Sequence, residues 1–359
     1  MHQNRVNKVL QLMAEQNIPQ MIVSDPYAVF YLTGTWIHPG ERMLVLYLTQ
    51  SGKHKLFVNE LFPFAAAVDA EKVWFNDTQD AVAILADYIE KDKTVAVDKN
   101  WQARFLIGLM DRHAGRAFVN GSEIIDRVRM VKDAKELDIM REASRLNDIA
   151  CSKMVELVKE DLDEAQMGKK LGEIWEDLGA EGHSFEPIIA YGANGADPHH
   201  TTVKGARKKP GDTVVIDIGC IYKSYCSDMT RTVFYQSVPA EGKKVYEITR
   251  DANLKAIEKV KPGVTFAALD AAARDYITEH GYGKYFTHRL GHSIGLEDHE
   301  AGDVSAVNHD VVVPGRVFSI EPGIYLPGNL GVRVEDLVIA TEDGCEVLNR
   351  YTKDLLVVG

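Results

Sequence analysis

Four acids stand in apolar surroundings that stability alone would not choose. The segment TVVIDIGCIYKSYCSDMTRTVFY carries Asp217 and Asp228. Residues 214–218 are apolar and β-branched, so Asp217 is expected inside a buried strand, where an unpartnered carboxylate costs several kcal/mol. On the strand that follows, Asp228, Thr230, Thr232 and Phe234 share a face. A hairpin through 219–224 would bring both aspartates to one point. The segment VFSIEPGIYLPGNLGVRVEDLVIA repeats the design. Glu321 ends an apolar strand, Pro322 and Gly323 turn the chain, and Arg333 and Glu335 share a face of the returning strand. Asp336 falls on the opposite face, where replacement by asparagine is expected to be nearly silent.

Four buried carboxylates need cations. One arginine cannot neutralise them, but two divalent ions match four negative charges. Histidine is the second signal. Of twelve histidines, six fall in three tight places, His199 with His200, His288 with His292, and His299 with His309. Such grouping beside acids and glycines marks a site. Within THRLGHSIGLEDHE, Gly291 and Gly295 argue against a helix and for close backbone approach. A histidine nitrogen among the carboxylates favours manganese, cobalt, zinc or iron over magnesium alone. No HExxH is present, which disfavours a single-zinc helix site.

The elements that must position these residues read as two domains. In the first, a helical pattern at 6–13 precedes apolar runs at 21–23, 44–48, 55–58, 73–75, 94–97 and 116–119. Helical windows at 79–91 and 101–113 sit between the later ones, which predicts an α/β domain over 1–125. The second, over 126–359, opens with a helix from 133 to 159 whose Asp133 and Glu136 form a capping-box pattern. A helix at 163–178 follows. Strands near 184–190, 213–219, 225–235, 316–321 and 331–340, with helices at 241–259 and 265–279, predict an α+β domain with an antiparallel sheet.

Composition bounds the partners. The chain has 359 residues, enough for about two domains with cores of their own. A net charge of −12 excludes a general nucleic-acid binder and a polybasic membrane-surface protein. No apolar run approaches the length of a membrane span. The first twenty residues lack the pattern of a signal peptide. The four cysteines, Cys151, Cys220, Cys226 and Cys345, include no CxxC pair, and are expected to be reduced thiols of a cytoplasmic protein.

Asp217, Asp228, His292, Glu321 and Glu335 resemble, in order and local context, the five-ligand pattern of the metallopeptidase family that contains methionine aminopeptidase, aminopeptidase P and prolidase. The DIG, SDMTRT, HRLGHSIG, IEPGIY and VRVED blocks carry the resemblance across 126–359. FYLTGT near 30–35 is similar to the smaller α/β domain of the creatinase and prolidase branch. The resemblance implies a pita-bread catalytic fold and two divalent ions per subunit, Mn2+ or Co2+ ahead of Zn2+ or Fe2+. It implies that Asp217 binds one ion through both oxygens, that Asp228 and Glu335 bridge, and that His292 and Glu321 bind the other. His299 and one of His199 and His200 would contact substrate and the developing oxyanion. His288 would stand behind the ligands or on the substrate side. Arg333 would brace Asp228, and Tyr325 would line the pocket near Glu321.

The upstream histidine usually follows a proline and lies 17 residues before the first aspartate. His199 meets the first condition and His200 the second, and the Pro-His context favours His199 as the catalytic histidine, with His200 on the substrate side. Ser293 stands where a glycine is usual and is expected to narrow the site. The implied function is hydrolysis of Xaa-Pro dipeptides by hydroxide held between the ions, with Glu321 shuttling the proton. The alternative is an aminopeptidase P acting on longer X-Pro peptides. A non-catalytic peptide- or protein-binding relative is the remote alternative. A dipeptidase needs a cation for the substrate carboxylate, with Arg42, His38 and Arg289 as candidates. The resemblance also implies a homodimer, with the loop GTWIHPGER (34–42) reaching the partner's site.

Overall fold

Val6, Val9 and Met13 recur at helical spacing and are buried along one side of α1 (Gln3–Glu15) in the computed structural model, which describes residues 1–359. The chain divides into two compact units, Met1–Arg129 and Met130–Gly359.

The first unit continues with β1 (Gln20–Val23), α2 (Pro26–Thr33), β2 (Val45–Thr49), β3 (Lys55–Asn59), β4 (Glu71–Phe75), α3 (Ala81–Ala86), β5 (Thr94–Val97), α4 (Ala103–Asp111), β6 (Ala117–Asn120) and α5 (Ser122–Arg129). Its six strands form one sheet in the order β4-β3-β2-β1-β5-β6. Strands β1, β5 and β6 run parallel, and β2 is antiparallel to both of its neighbours. Ile22, Tyr47, Phe57, Val95 and Leu109 meet in the core. Residues 126–129, expected in the second domain, complete α5 in the first. Ile124, Ile125 and Val128 are buried there, and Tyr31 donates to the Val128 carbonyl. In loop 34–42, Trp36 stacks between Phe30 and His38, and Arg42 pairs with Asp77.

The second unit is built from two similar helix-and-sheet halves. The first half has α6 (Ala134–Leu157), α7 (Glu164–Leu178), β7 (Gly182–His183), β8 (Ile188–Tyr191), β9 (Thr213–Ile218), β10 (Cys220–Tyr222), β11 (Tyr225–Cys226) and β12 (Met229–Tyr235). Asp133 and Glu136 form the expected capping box, and Asp163 with Gln166 forms another. The second half has α8 (Ala240–Glu258), α9 (Phe266–Glu279), β13 (Gly291–Ser293), β14 (Glu300–Val304), β15 (Val317–Ile320), β16 (Gly323–Leu326), β17 (Leu330–Arg333), β18 (Asp336–Ala340) and β19 (Cys345–Val347). The final strand β20 (Val357–Val358) returns to β12.

The larger sheets are β20-β12-β9-β8 and β14-β13-β15-β18-β19. Helices α6 and α7 share one core with β8, β9 and β12, including Trp175 and Ile216. Helices α8 and α9 share another, including Phe266, Phe318 and Val338. Each fully buried side chain of this size contributes about 1.5–3 kcal/mol. Buried asparagines tie each half together. Asn147 of α6 donates to the Ile218 carbonyl and Asn253 of α8 to the Ile320 carbonyl, both at 2.8 Å. No helix is long and apolar enough to cross a membrane.

Two expected strands are interrupted. The run 225–235 breaks at Ser227 and Asp228, and the run 331–340 breaks at Val334 and Glu335. Strand β17 pairs with β16, whereas β18 pairs with β15 and β19. At the second break the Glu335 N–H donates to the Thr230 carbonyl, joining the two halves. Asp336 points away from the site as expected, but into protein. It is fully buried and accepts from Arg231 at 2.7 Å and Lys353 at 2.6 Å. Asp336→Asn is therefore not silent. It leaves Arg231 buried without its anion and is expected to cost about 3 kcal/mol, to be read by chemical denaturation. An unchanged unfolding midpoint would contradict this.

Candidate metal centre

The four acids reach the site from three kinds of backbone setting. Asp217 lies within β9 opposite Thr230 of β12. Asp228 and Glu335 occupy the two strand breaks, and Glu321 directly follows β15. His292 is carried by β13 at a register shift between it and Ser293, the kind of bulge that re-aims a side chain. Gly291 is required there, because a Cβ would lie 2.0 Å from the Ser319 carbonyl oxygen. The close approach expected from the glycines is thus present.

All five side chains line one cavity of about 580 Å3. His292 Nε2 lies 3.3 Å from Glu321 Oε1 and 3.6 Å from Asp228 Oδ2. Ligand atoms of Asp228, His292 and Glu335 all fall within 4.8 Å of one another. Asp217 Oδ1, Asp228 Oδ1 and Glu335 Oε1 are buried without a hydrogen-bond partner. Burial first, then the neighbouring acids, push the Asp228 and Glu335 carboxyls far above their usual range. Burial pushes Glu321 up to about 7. Burial also holds the His292 imidazole well below its ordinary value, so it is a neutral nitrogen donor. Orphaned carboxylate oxygens converging with a neutral imidazole fit a divalent cation of borderline softness.

Arg333 departs from expectation. It is buried and braces Asp217, not Asp228, through Nη2. Its Nε donates to Thr230 Oγ1 and its Nη1 to Tyr325 Oη. The reason is placement: the end of β17 lies over β9, so the guanidinium meets the nearer carboxylate. One Asp217 oxygen is thereby engaged, where the resemblance implied that both face an ion.

Tyr325 does not line the cavity. It stands behind it, 2.8 Å from His288 Nε2. Its oxygen accepts from Arg333, so its O–H donates to His288. His288 Nδ1 then carries the proton and donates to the Arg289 carbonyl at 2.7 Å. Burial holds His288 down to about 3, consistent with this neutral tautomer. With both ring nitrogens used, His288 offers substrate a ring surface and no hydrogen bond.

The upstream histidines separate. His200 bonds Glu164 at 2.8 Å, and the fully buried Glu164 also accepts from Tyr191, Asn194 and Val203. His200 is thus a brace for the 191–203 segment, although its edge reaches the cavity. His199 is exposed and lines the same wall as His299 and His288. Its electrostatic influence reaches both. Ser293 is not in the lining, so it does not narrow the site. Its hydroxyl donates to the Gly302 carbonyl. His309 lies outside this cavity. Glu164, Phe185, Glu186, Ile188 and Asp298 are further residues at or behind this cavity that the sequence patterns do not mark. Only Asp298, inside GLEDHE beside His299, carried a local signal.

A buried carboxylate and imidazole centre held between two helix-and-sheet halves defines a metallohydrolase, and the comparisons give its family. Residues 138–342 match metallopeptidase family M24, and residues 5–131 match the creatinase/prolidase N-terminal domain. The chain belongs to metallopeptidase family M24, with the family's pita-bread catalytic fold behind a creatinase-type N-terminal domain. It is 33% identical over 360 residues to an uncharacterized peptidase of Staphylococcus aureus, covering 97% of this chain and 99% of the relative. Among solved structures it is similar to a prolidase from Thermococcus sibiricus, at 31% identity and TM-score 0.95, covering 100% and 99% of the two chains. It is also similar to an X-Pro aminopeptidase from Thermotoga maritima, at 29% identity and TM-score 0.83, covering 95% and 98%.

Proposed function

We propose that this chain is an Xaa-Pro dipeptidase working with two divalent ions, Mn2+ or Co2+, held by Asp217, Asp228, His292, Glu321 and Glu335. The observation that carries the reading is the convergence of these five side chains on one cavity whose wall also holds His199 and His299. Bound ions would polarise the scissile carbonyl and make water nucleophilic near neutral pH. Glu321 takes the proton of the attacking water and passes it to the proline nitrogen, which leaves as a secondary amine. His199 and His299 donate N–H bonds to the tetrahedral oxyanion. Arg333 and Tyr325 hold Asp217 and His288 in place. Support for the particular substrate comes from the likeness to the prolidase, over nearly the full length of both chains. The reading extends to a cytoplasmic homodimer, for which the four unpaired cysteines and the family resemblance speak.

Arg289 is the candidate anchor for the free carboxylate of the dipeptide. It lines the cavity, and its Nη1 is paired with Asp303 while its other donors remain open. Arg42 belongs to the first unit and is occupied by Asp77 and Glu41. X-Pro dipeptides are expected to be cleaved at least about tenfold faster than X-Pro-Y tripeptides, since a lost charged hydrogen bond costs about 1.5–3 kcal/mol. Measuring kcat/KM for both series, and for a dipeptide amide, tests this. Equal or faster cleavage of longer peptides would make the protein an aminopeptidase P. An unaffected amide would remove carboxylate recognition even if length mattered.

A further inference from the structure

The cavity wall carries two carboxylates that the proposed chemistry does not use. Glu186 lies in the turn between β7 and β8, and Asp298 in the loop between β13 and β14. Neither forms an ion pair with a lysine or arginine. The cationic groups in the lining already have roles, Arg289 on the reading above as the anchor of the substrate carboxylate. Arg333 is held by Asp217, Tyr325 and Thr230, and Arg289 is paired with Asp303. Glu186 and Asp298 are then the two carboxylates of the lining that have neither a ligand role nor an arginine partner.

Asp298 is placed through its backbone, and Glu186 is exposed. The Asp298 carbonyl faces the buried His292 ring, which fixes this loop against the centre, and its carboxylate acts on His299. Glu186 is flanked by Phe185 and Ile188, which also line the cavity. Apolar walls leading to carboxylates suit a side chain with a methylene stem and a cationic head, which buries the stem and leaves the head among acids.

We propose that Glu186 and Asp298 form an acidic recess selecting lysine or arginine as the residue before proline. This rests on the dipeptidase reading above. A side chain of the same length without charge gains the apolar contact only, and an acidic side chain is repelled.

The test compares kcat/KM of the Mn2+-loaded protein for Lys-Pro, Nε-acetyl-Lys-Pro, Leu-Pro and Glu-Pro. Acetylation removes the side-chain charge and keeps the α-amino group. Lys-Pro is expected to exceed Nε-acetyl-Lys-Pro by at least about tenfold, with Glu-Pro the poorest, and the ratio should shrink as salt is added. In Asp298→Asn combined with Glu186→Gln, the ratio should fall below about twofold. Being a ratio, it is independent of how much of the variant folds. A wild-type ratio near one overturns the recess and leaves the dipeptidase reading standing. A large ratio that survives in the double variant overturns the assignment to these two residues. Failure to cleave any of the four dipeptides overturns the dipeptidase reading, and the recess with it.

Discussion

Stripping divalent ions with a chelator is expected to abolish peptide hydrolysis, and Mn2+ or Co2+ to restore it. The expectation follows from charge. Asp217, Asp228, Glu321 and Glu335 face one cavity, and the guanidinium among them engages Asp217. Without cations the acids repel one another, and burial pushes the carboxyls of Asp228, Glu321 and Glu335 towards the protonated form. Protonated carboxyls are poor ligands, so rebinding should weaken as pH falls. Bound ions would also stabilise the fold by mass action, by about 2.7 kcal/mol per site at a hundredfold excess over Kd. The stripped protein should therefore keep its circular dichroism and unfold at a lower temperature. Full activity in protein shown by elemental analysis to be metal-free would sink the metal-dependent reading.

Glu335→Gln is the second large effect. The substitution keeps shape, and the Thr230 hydroxyl that donates to Glu335 Oε2 retains an acceptor. It removes one of four negative charges and one anionic oxygen from the tightest grouping in the site. Loss of about one metal equivalent and at least about a hundredfold in rate is expected, more than losses caused by residues behind the ligands. Metal content and kcat are the two readouts. The neighbouring Asp336→Asn should lower stability while metal content holds. If both variants lost metal equally, the two faces of this segment would not be separable as described.

The acids were legible because each is out of place. Asp217 sits in a β-branched run and Glu321 at the end of another, and no packing argument explains a carboxylate in either. The breaks beside Asp228 and Glu335 were not legible. Consecutive polar residues, Ser227-Asp228 and Glu335-Asp336, interrupt the alternation at both places, but periodicity does not say that a strand leaves one sheet for the next there. The partner of Arg333 was missed for a related reason. Face sharing places a side chain on one side of a strand, but which carboxylate it meets depends on β17 crossing β9. Asp336 failed differently. The face opposite the site reads as tolerant in the sequence, whereas in this unit it is a second interior containing Arg231 and Lys353. Glu186 and Asp298 sit on connections, where no period exists to flag a functional side chain.

Asn147 and Asn253 suspend the two acidic strands from two helices in the same way, one beside Asp217 and the other beside Glu321. Each half thus arrives with its own strand already hung, yet neither carries a full ligand set. Asp217 and Asp228 come from one half, and His292, Glu321 and Glu335 from the other. On the proposed reading, a chain with its halves undocked would present incomplete ligand sets, so ion uptake would require that the two halves have assembled.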